Sequence, residues 1–423
     1  MNVMRARQMI VYGLIALVAV MPFHAFASVW LGSLTGYQTL IQSWKEIVIV
    51  LMFVAAVITI WRRPQAINAL LKPVNYWIPA FIAVALLVSA ITQPPALAWL
   101  FGLKTDIEFL VVFLLAQLVA SQLLVHKMQK IILITSAAVA GFAVLQTFAL
   151  PADFLRHFGY GPETIAPFHT IDPGLNTIRV LSTLGGPNQL GSFLILPICL
   201  CVAMWIRQRR FSLALLTGLM TAALIFTYSR SALLGLVAAV VTVITMSLPR
   251  QRALYFLLAT TAAAAIGAQL LFTSITKESN LQYYVFHGSL QETGLQDSTE
   301  QHAGALDSSL LVVKENPLGK GLGTAGPASF HAPQAFISEN YFLQLAIETG
   351  IAGALLFIGF CIHLFIEFWR RRAQDAAKAL AGALVGISTI NLFLHGWADS
   401  STALVFWSLA GVLIGTNSKE SSS

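Results

Sequence analysis

The sequence predicts an all-α membrane protein, and three properties of the chain lead to this fold class. Apolar residues make up 57% of the 423 residues, and charged residues only 10%, against about 25% in soluble domains. The mean hydropathy is +0.76, and apolar windows of roughly 20 residues recur along the chain. We therefore expect a polytopic bundle of about 12 transmembrane helices with a long extracytoplasmic loop between helices 9 and 10. So few polar side chains exclude a soluble enzyme, a disordered chain and a secreted disulfide scaffold.

The apolar windows divide the chain into three parts. Residues 1–272 are expected to hold helices 1–9 with an outer loop at 151–187, residues 273–341 to form the extracytoplasmic loop with a short amphipathic helix, and residues 342–423 to hold helices 10–12 and a cytoplasmic tail. The expected spans lie near residues 9–28, 44–61, 74–92, 106–124, 130–150, 188–206, 211–228, 231–248, 253–272, 342–369, 376–395 and 401–416.

The distribution of basic residues predicts the orientation in the membrane. The net charge of +7 would suggest a nucleic-acid partner for a soluble protein. Here the basic residues concentrate in alternate short loops, for example at Arg5, Arg62, 207–210 and 370–372, and such loops are cytoplasmic in membrane proteins. We therefore expect a multi-pass protein of the cytoplasmic (inner) membrane, with cytoplasmic N- and C-termini, long loops outside and no nucleic-acid partner.

The first apolar stretch has two interpretations. Arg7, the apolar run and Ala25-Phe26-Ala27 before Ser28 are also the pattern of a cleavable signal peptide. The run is longer than the 7–15 apolar residues of a typical signal peptide. The length favours an uncleaved first helix.

The two expected outer loops differ in character. Residues 151–187 are rich in proline and glycine and are predicted to be irregular. In the second loop, Ser298 and Gln301 form a capping box for a helix that should end before Pro317. The glycine-rich run 319–326 is predicted to be a mobile turn that lets the backbone approach a bulky substrate.

Two arginines are candidates for binding an anion. Arg230 interrupts an apolar stretch, so it either faces a wet cavity or an anion, or simply caps an outward turn between two helices. Arg179 precedes a helix start at Pro187 and Asn188, where free backbone N–H groups attract phosphate, but it could also be a solvated loop charge. Two guanidinium groups converging from separate segments would suit a diphosphate.

Two carboxylates near one helix start are further candidates. Glu339 lies at the mouth of an apolar helix, where it could act as a general base or simply favour the positive helix end, with Ser338 as the cap. Glu348 is expected deeper in the same helix, as the partner of an arginine or as a structural hydrogen-bond acceptor.

Histidines and cysteines give weaker signals. His302 and His331 in the long outer loop could transfer protons, although a lone loop histidine is usually only solvated. No His, Cys and Asp residues have the spacing of metal ligands, so we expect no metal and no cofactor. Cysteines lie inside apolar runs, which predicts core packing, at Cys199, Cys201 and Cys361.

Four motifs in order resemble the bacterial O-antigen ligase/polymerase family of integral membrane glycosyltransferases. The first begins at Arg179 and continues with Gly-Pro-Asn-Gln-Leu-Gly at 186–191, and the second is Tyr-Ser-Arg-Ser-Ala-Leu-Leu-Gly at 228–235. The third is Glu-Asn-Pro-Leu-Gly-Lys-Gly-Leu-Gly at 315–323, and the fourth runs from Glu339 to Gly353. The similar stretch covers roughly residues 175–370.

The resemblance implies a metal-independent transfer outside the cytoplasmic membrane. Members move a glycan from undecaprenyl diphosphate to an acceptor sugar or glycolipid. The arginines that hold the diphosphate correspond to Arg179 and Arg230, and Asn188, Asn340 and Glu348 are expected to support the site. We expect inversion at the anomeric carbon in one displacement.

Two positions depart from the ligase pattern. Ligases typically begin the helix after the long loop with His-Asn, the histidine acting as base, where this chain has Glu339-Asn340. Relatives often carry an arginine on the short loop helix, where this chain has His302. The expected base is therefore Glu339, with His302 or His331 as alternatives, and a polymerase of the same family becomes a serious alternative to a ligase.

Other classes of function are less consistent with the chain. A secondary transporter of about twelve helices would show related halves and broken helices at mid-membrane. Few charges lie within the spans, and the long loop follows the ninth window rather than the sixth. A flippase for the same lipid is a variant of this alternative, and a purely structural scaffold would not require Arg230.

Overall fold

The computed structural model describes residues 2–171, 177–261 and 298–416, with side chains in the last range from residue 304 onward. The described chain is helical almost throughout, as the apolar composition predicts. The first half contains α1 Val3–Val20, α2 His24–Thr35, α3 Gln38–Gln42, α4 Trp44–Arg62, α5 Trp77–Thr92, α6 Ala96–Asp106, α7 Glu108–Gln117 and α8 Gln122–Phe148.

The second half adds eight helices and two short strands. The strands are β1 His169–Thr170 and β2 Ile178–Arg179, which pair antiparallel. The helices are α9 Pro187–Gln208, α10 Phe211–Ile225, α11 Arg230–Ser247, α12 at 250–261, α13 Ser298–Glu315, α14 Tyr341–Arg370, α15 Asp375–Ile390 and α16 Ser400–Gly415.

Seven helical stretches of the described chain are long and apolar enough to cross a membrane. They include α8, α9, α11 and α14, and α10 and α16 are shorter apolar helices. Many large apolar side chains on these helices are exposed, such as Val50 (60%) and Val57 (51%) on α4. Such outward-facing apolar surface suits lipid rather than water. An all-α membrane protein is therefore confirmed, while the number of twelve spans stays a prediction.

Helix ends differ from the expected windows where polar groups interrupt the helix. The window at 106–124 holds the ten residues of α7 between the last residue of α6 and the first three residues of α8, which Ser121 caps by accepting a hydrogen bond from the Leu124 N–H at 3.2 Å. The window at 376–395 ends as a helix at Ile390. Residues 262–272 of the ninth window and the tail from 417 lie outside the described residues.

The bundle is packed through small residues and an aromatic core. Helices α9, α11 and α15 pack together, and Gly235 of α11 meets Gly386 of α15 so closely that a Cβ on either would touch the other backbone. Between α7, α14 and α16, aromatic rings stack, with Phe109 and Trp407 centroids 5.3 Å apart. The cysteines predicted to lie in the core are free and buried.

The glycine-rich run 319–326 is not the mobile turn that the sequence predicts. Gly350 breaks α14 with φ of 73°, and the run enters this break. The N–H groups of Lys320 and Gly321 donate to the carbonyls of Ile347 (2.7 Å) and Glu348 (2.9 Å). The glycines let the backbone approach the protein's own helices, because only a residue without Cβ fits these positions.

The two ends of the bundle have different chemistry. At one end, which we call the basic end, Arg7, Arg63 and Lys127 line one cavity, and Arg207 pairs with Asp375 at 2.7 Å. Helix α9 runs from there for 22 residues, roughly 33 Å, to the opposite end. The opposite end, which we call the loop end, carries residues 149–171, 177–186, 316–340 and 391–399.

Candidate active site

Arg179 is held at the loop end by a hairpin that the sequence does not predict. Strand β2 pairs with β1, so that Arg179 lies opposite His169. Its Nε donates to the carbonyl of Thr227 at 2.9 Å, and its Nη2 donates to Oδ1 of Asn188 at 2.8 Å. Both partners are neutral, so these two contacts orient the guanidinium without neutralising its charge.

Arg230 is presented by the turn that joins α10 to α11. Tyr228 has φ of 51°, and Oγ1 of Thr227 accepts from the Ser229 N–H at 3.1 Å, which ends α10 and starts α11 at Arg230. The N–H of Val180 donates to the carbonyl of Phe226 at 3.2 Å. This turn and the Arg179 strand are therefore fixed to one another through their backbones.

The two guanidinium groups are electrostatically coupled. Burial and the positive charge of Arg230 both lower the pKa of Arg179. Two like charges held this close repel each other, and a bound anion between them would relieve the repulsion. The structure thus brings the two arginines together, as an anion site requires.

Glu339 occupies a turn rather than the first turn of α14. Its φ is 54°, a conformation that is uncommon for residues other than glycine. The helix cap is Asn340, whose Oδ1 accepts from the Leu343 N–H at 3.0 Å, and not Ser338 as the sequence suggested. Asn340 also donates from Nδ2 to the carbonyl of Leu392 at 3.1 Å. Asn340 therefore fixes the turn that carries Glu339 against the segment after α15.

His395 follows the segment that is bonded to this turn, and sequence reasoning missed it. Burial lowers its pKa to about 4, although the charge of Glu339 acts in the opposite direction. The sequence analysis placed this histidine inside the expected membrane span at 376–395 and therefore did not consider it as a site residue. The signal that could have found it is the polar grouping of Asn391, His395 and Asp399 at the end of that window.

One cavity at the loop end is lined by Asn188 and His395. It measures about 370 Å³, and Asn188 accepts a hydrogen bond from Arg179, although Arg179, Arg230 and Glu339 are not among the lining residues. The start of α2, the start of α9 and the segment between α15 and α16 all contribute to its wall. The remaining lining residues are His24, Ala25, Gly185, Gln189, Ser192, Pro327, Leu394, Gly396, Ala398, Asp399, Ser400 and Ser401.

Glu348 lies away from this cavity and has a different environment. It is fully buried in α14, its Oε1 accepts from the Ala325 N–H at 3.2 Å, and it is hydrogen-bonded to the carboxyl group of Asp106. The hydroxyl of Tyr341 donates to Asp106 at 3.0 Å. Of the two roles left open by the sequence, Glu348 has that of a hydrogen-bond acceptor that holds the glycine-rich run.

The two loop histidines are placed differently from Glu339. His331 is exposed and its ring stacks on Phe101 of α6, with centroids 3.7 Å apart. Like Glu339, it is not among the residues that line the cavity. His302 belongs to α13, and its side chain lies outside the described residues.

A family model of known proteins matches part of the chain. Residues 215–358 match the family model described as O-antigen ligase. The matched stretch contains Arg230, Glu339 and Asn340, while Arg179, Asn188 and His395 lie beyond its ends. No curated protein sequence matches the chain.

Proposed function

We propose that this chain is a member of the O-antigen ligase family, whose model matches residues 215–358, and that it transfers a glycan from undecaprenyl diphosphate to an acceptor sugar or glycolipid. The proposal rests on two arginines from separate segments, Arg179 and Arg230, whose charges affect each other. They lie near a cavity that Asn188 and His395 line. The two positive charges suit the anionic diphosphate of a donor, and the neighbouring cavity suits the neutral glycan that is transferred.

The arginines would hold the diphosphate and stabilise it as a leaving group. Guanidinium groups bind phosphate oxygens through two parallel hydrogen bonds, and Arg179 is already oriented by Thr227 and Asn188. As the bond between the anomeric carbon and the diphosphate oxygen breaks, negative charge grows on that oxygen. Fixed positive charge at this place lowers the barrier, because it interacts more strongly with the transition state than with the bound donor.

Glu339 is the proposed general base. In one displacement with inversion, the acceptor oxygen forms its bond to the anomeric carbon while the electron pair of the broken bond leaves with the diphosphate. The hydroxyl proton passes to the carboxylate of Glu339. His331, stacked on Phe101, and His302 on α13 are the alternative bases that the sequence offers.

The donor would reach the site from the outer face of the cytoplasmic membrane. The basic end of the bundle, with Arg7, Arg63 and Arg207, is proposed to be cytoplasmic under the positive-inside rule. The loop end then faces outward, and both termini are cytoplasmic. In this orientation the cavity lies where the headgroups of outer-leaflet lipids are.

A polymerase of the same family is the second candidate. Glu339 stands where the ligase pattern has histidine, and a polymerase would use the same donor but a second glycan as acceptor. The products separate the two candidates, since a ligase adds one glycan to a glycolipid, whereas a polymerase gives a ladder of chain lengths.

The experiment is a transfer assay with the purified full-length protein. The donor is a synthetic undecaprenyl-diphosphate-linked oligosaccharide, and the release of undecaprenyl diphosphate is measured with a glycolipid or a glycan as acceptor. We expect Arg230→Ala and Glu339→Gln to reduce the rate by about 100-fold or more. Arg156→Ala is the matched control, because Arg156 is exposed at the loop end and its ion pair among the described residues is with Asp153 at 3.6 Å.

Full activity of the Arg230→Ala protein would overturn the diphosphate site. A wild-type protein that moves the lipid-linked glycan across vesicles without transferring it would instead favour a flippase or another transporter.

A further inference from the structure

His395 is a titratable side chain in the cavity wall for which no role has been assigned so far. It lies in the segment between α15 and α16, and its Nε2 is buried without a hydrogen-bond partner among the described residues. A buried polar atom with no partner costs free energy, and it is kept in proteins mainly where a ligand or a reaction uses it.

The other titratable groups in the cavity wall already have partners. Nδ1 of His24 accepts from Nε1 of Trp44 at 3.0 Å. The Oδ2 atom of Asp399 accepts from the Thr402 N–H at 2.9 Å and so caps α16. Among the described residues of this wall, Nε2 of His395 is a buried ring nitrogen that has no hydrogen-bond partner.

His395 and Glu339 are held in register by backbone contacts. The Tyr341 N–H donates to the carbonyl of Asn391 at 2.9 Å, and Asn340 donates to the carbonyl of Leu392 at 3.1 Å. These two bonds join the Glu339 turn to the residues immediately before His395. Burial lowers the pKa of His395, and the negative charge of Glu339 acts in the opposite direction.

We propose that Glu339 and His395 act together as one proton acceptor, with Nε2 of His395 receiving the hydrogen bond of the acceptor hydroxyl in the cavity. A neutral imidazole accepts a proton at its free nitrogen, and a neighbouring carboxylate stabilises the imidazolium that forms. This inference rests on the proposed glycan transfer and adds a residue to it.

The proton balance of the step is simple. The acceptor oxygen bonds to the anomeric carbon, the diphosphate leaves with its electron pair, and the hydroxyl proton goes to the pair, whose total charge changes from −1 to 0. Because the two groups share the proton, it belongs to the pair rather than to either residue. The proton then leaves to water before the next turnover.

The test compares His395→Gln, Glu339→Gln and the double variant in the same transfer assay. Glutamine keeps a polar side chain of similar length but cannot take up a proton. We expect His395→Gln to lower kcat by about 100-fold with little change in KM for the donor. The double variant should be no slower than the slower single variant, because the residues of one unit are not additive.

Chemical rescue distinguishes a catalytic role from a structural one. In His395→Ala, added imidazole should restore part of the lost rate, since the cavity provides room for the missing ring. His157→Gln is the matched control, because His157 is exposed at the loop end and bonds only the carbonyl of Phe154 at 2.9 Å. Neither the control variant nor wild-type protein should respond to imidazole.

The outcomes separate this inference from the proposed function. Three results would each overturn the proposed pair of proton acceptors. They are a wild-type kcat in His395→Gln, rate losses that multiply in the double variant, and a folded His395→Ala protein that imidazole does not rescue. If these results occur while Arg230→Ala and Glu339→Gln are inactive, glycan transfer stands without His395. If Arg230→Ala and Glu339→Gln are as active as wild type, the proposed site itself is wrong.

Discussion

Nη2 of Arg179 donates a hydrogen bond of 2.8 Å to Oδ1 of Asn188, at the second residue of α9. The amide oxygen thereby fixes a guanidinium that burial and Arg230 both act on. The same asparagine lines the cavity that His395 faces, so a single side chain connects the arginine cluster with the cavity wall.

Removing this amide should weaken donor binding more than it affects folding. In Asn188→Ala the Arg179 guanidinium loses one fixed acceptor, and hydrogen bonds to charged groups contribute about 1.5–3 kcal/mol. We expect the KM for the lipid-linked donor to rise about tenfold or more. The control is Asn316→Ala, whose amide bonds only the local carbonyl of Val312 at 3.1 Å. An unchanged KM in Asn188→Ala would contradict the orienting role.

A positive charge without the two parallel N–H groups of a guanidinium should not fully replace Arg230. Arg230→Lys keeps a positive charge but cannot form two parallel bonds to one phosphate group. We expect it to retain more activity than Arg230→Ala and still to lose about tenfold relative to wild type. Transfer rates of the three proteins provide the measurement, and equal activity of Arg230→Lys and wild type would rule out bidentate binding.

The stability of the protein should depend on pH through His395. Burial lowers its pKa to about 4, whereas the exposed imidazole of the unfolded chain titrates near 6.5. Between these values the unfolded chain binds the additional proton, so the free energy of unfolding falls as the pH is lowered from about 6.5 to about 4. His395→Gln has no such proton and should lose less stability over this range.

Melting temperatures in detergent across this pH range measure the effect. The control His157→Gln should follow the wild-type curve, since His157 is exposed. Parallel curves for wild type and His395→Gln would show that this histidine is not the group that titrates.

Two lysines near the start of α4 and the end of α6 should differ in their contribution to stability. Lys45 is 1% exposed and bonds Glu46 at 2.7 Å, with Glu108 at 3.5 Å. Lys45→Ala leaves the carboxylate of Glu108, which is 10% exposed, buried without this cation and should cost about 3–5 kcal/mol. Lys104 also bonds Glu46 at 2.7 Å, but its side chain is 34% exposed, so Lys104→Ala should cost at most about 1 kcal/mol.

Unfolding in mixed micelles with increasing SDS gives both free energies. Equal losses in the two variants would indicate that burial does not determine the strength of this network.

The glycine-rich run lies so close to α6 that we expect a side chain at Gly323 to destabilise the protein. Gly323 has φ of +78°, and a Cβ there would overlap the carbonyl oxygen of Ala98. Gly323→Ala should therefore lose about 1–3 kcal/mol from overpacking. Gly141→Ala, in open space on α8, should leave stability unchanged or raise it by up to about 1 kcal/mol. Similar melting temperatures for the two variants would contradict the close packing.

Local pattern predicted the secondary structure well where the relevant forces are local. The stop before Pro317 corresponds to the end of α13 at Glu315, whereas the side chains of the capping box at Ser298 and Gln301 lie outside the described residues. Composition likewise predicted the membrane class, and the motif around Arg230 predicted the family that the match at 215–358 supports.

Features that depend on distant segments could not be predicted in this way. The sequence indicated Ser338 as the helix cap, but the backbone of Asn391 and Leu392 fixes the turn so that Asn340 takes that position. The role of the glycine-rich run depends on the break of α14 at Gly350. The carbonyl groups that this break leaves without helical partners accept hydrogen bonds from Lys320 and Gly321, which precede the helix in the chain.

The sequence by itself determined that the chain is helical, apolar and built for a membrane, because helix formation and hydropathy are properties of neighbouring residues. Only the tertiary structure decided that the strand of Arg179 is bonded to the turn before Arg230, and that the turn of Glu339 is bonded to the segment that carries His395. These pairs lie on segments that are far apart in the chain, and their distance depends on how whole helices pack, which no local pattern encodes.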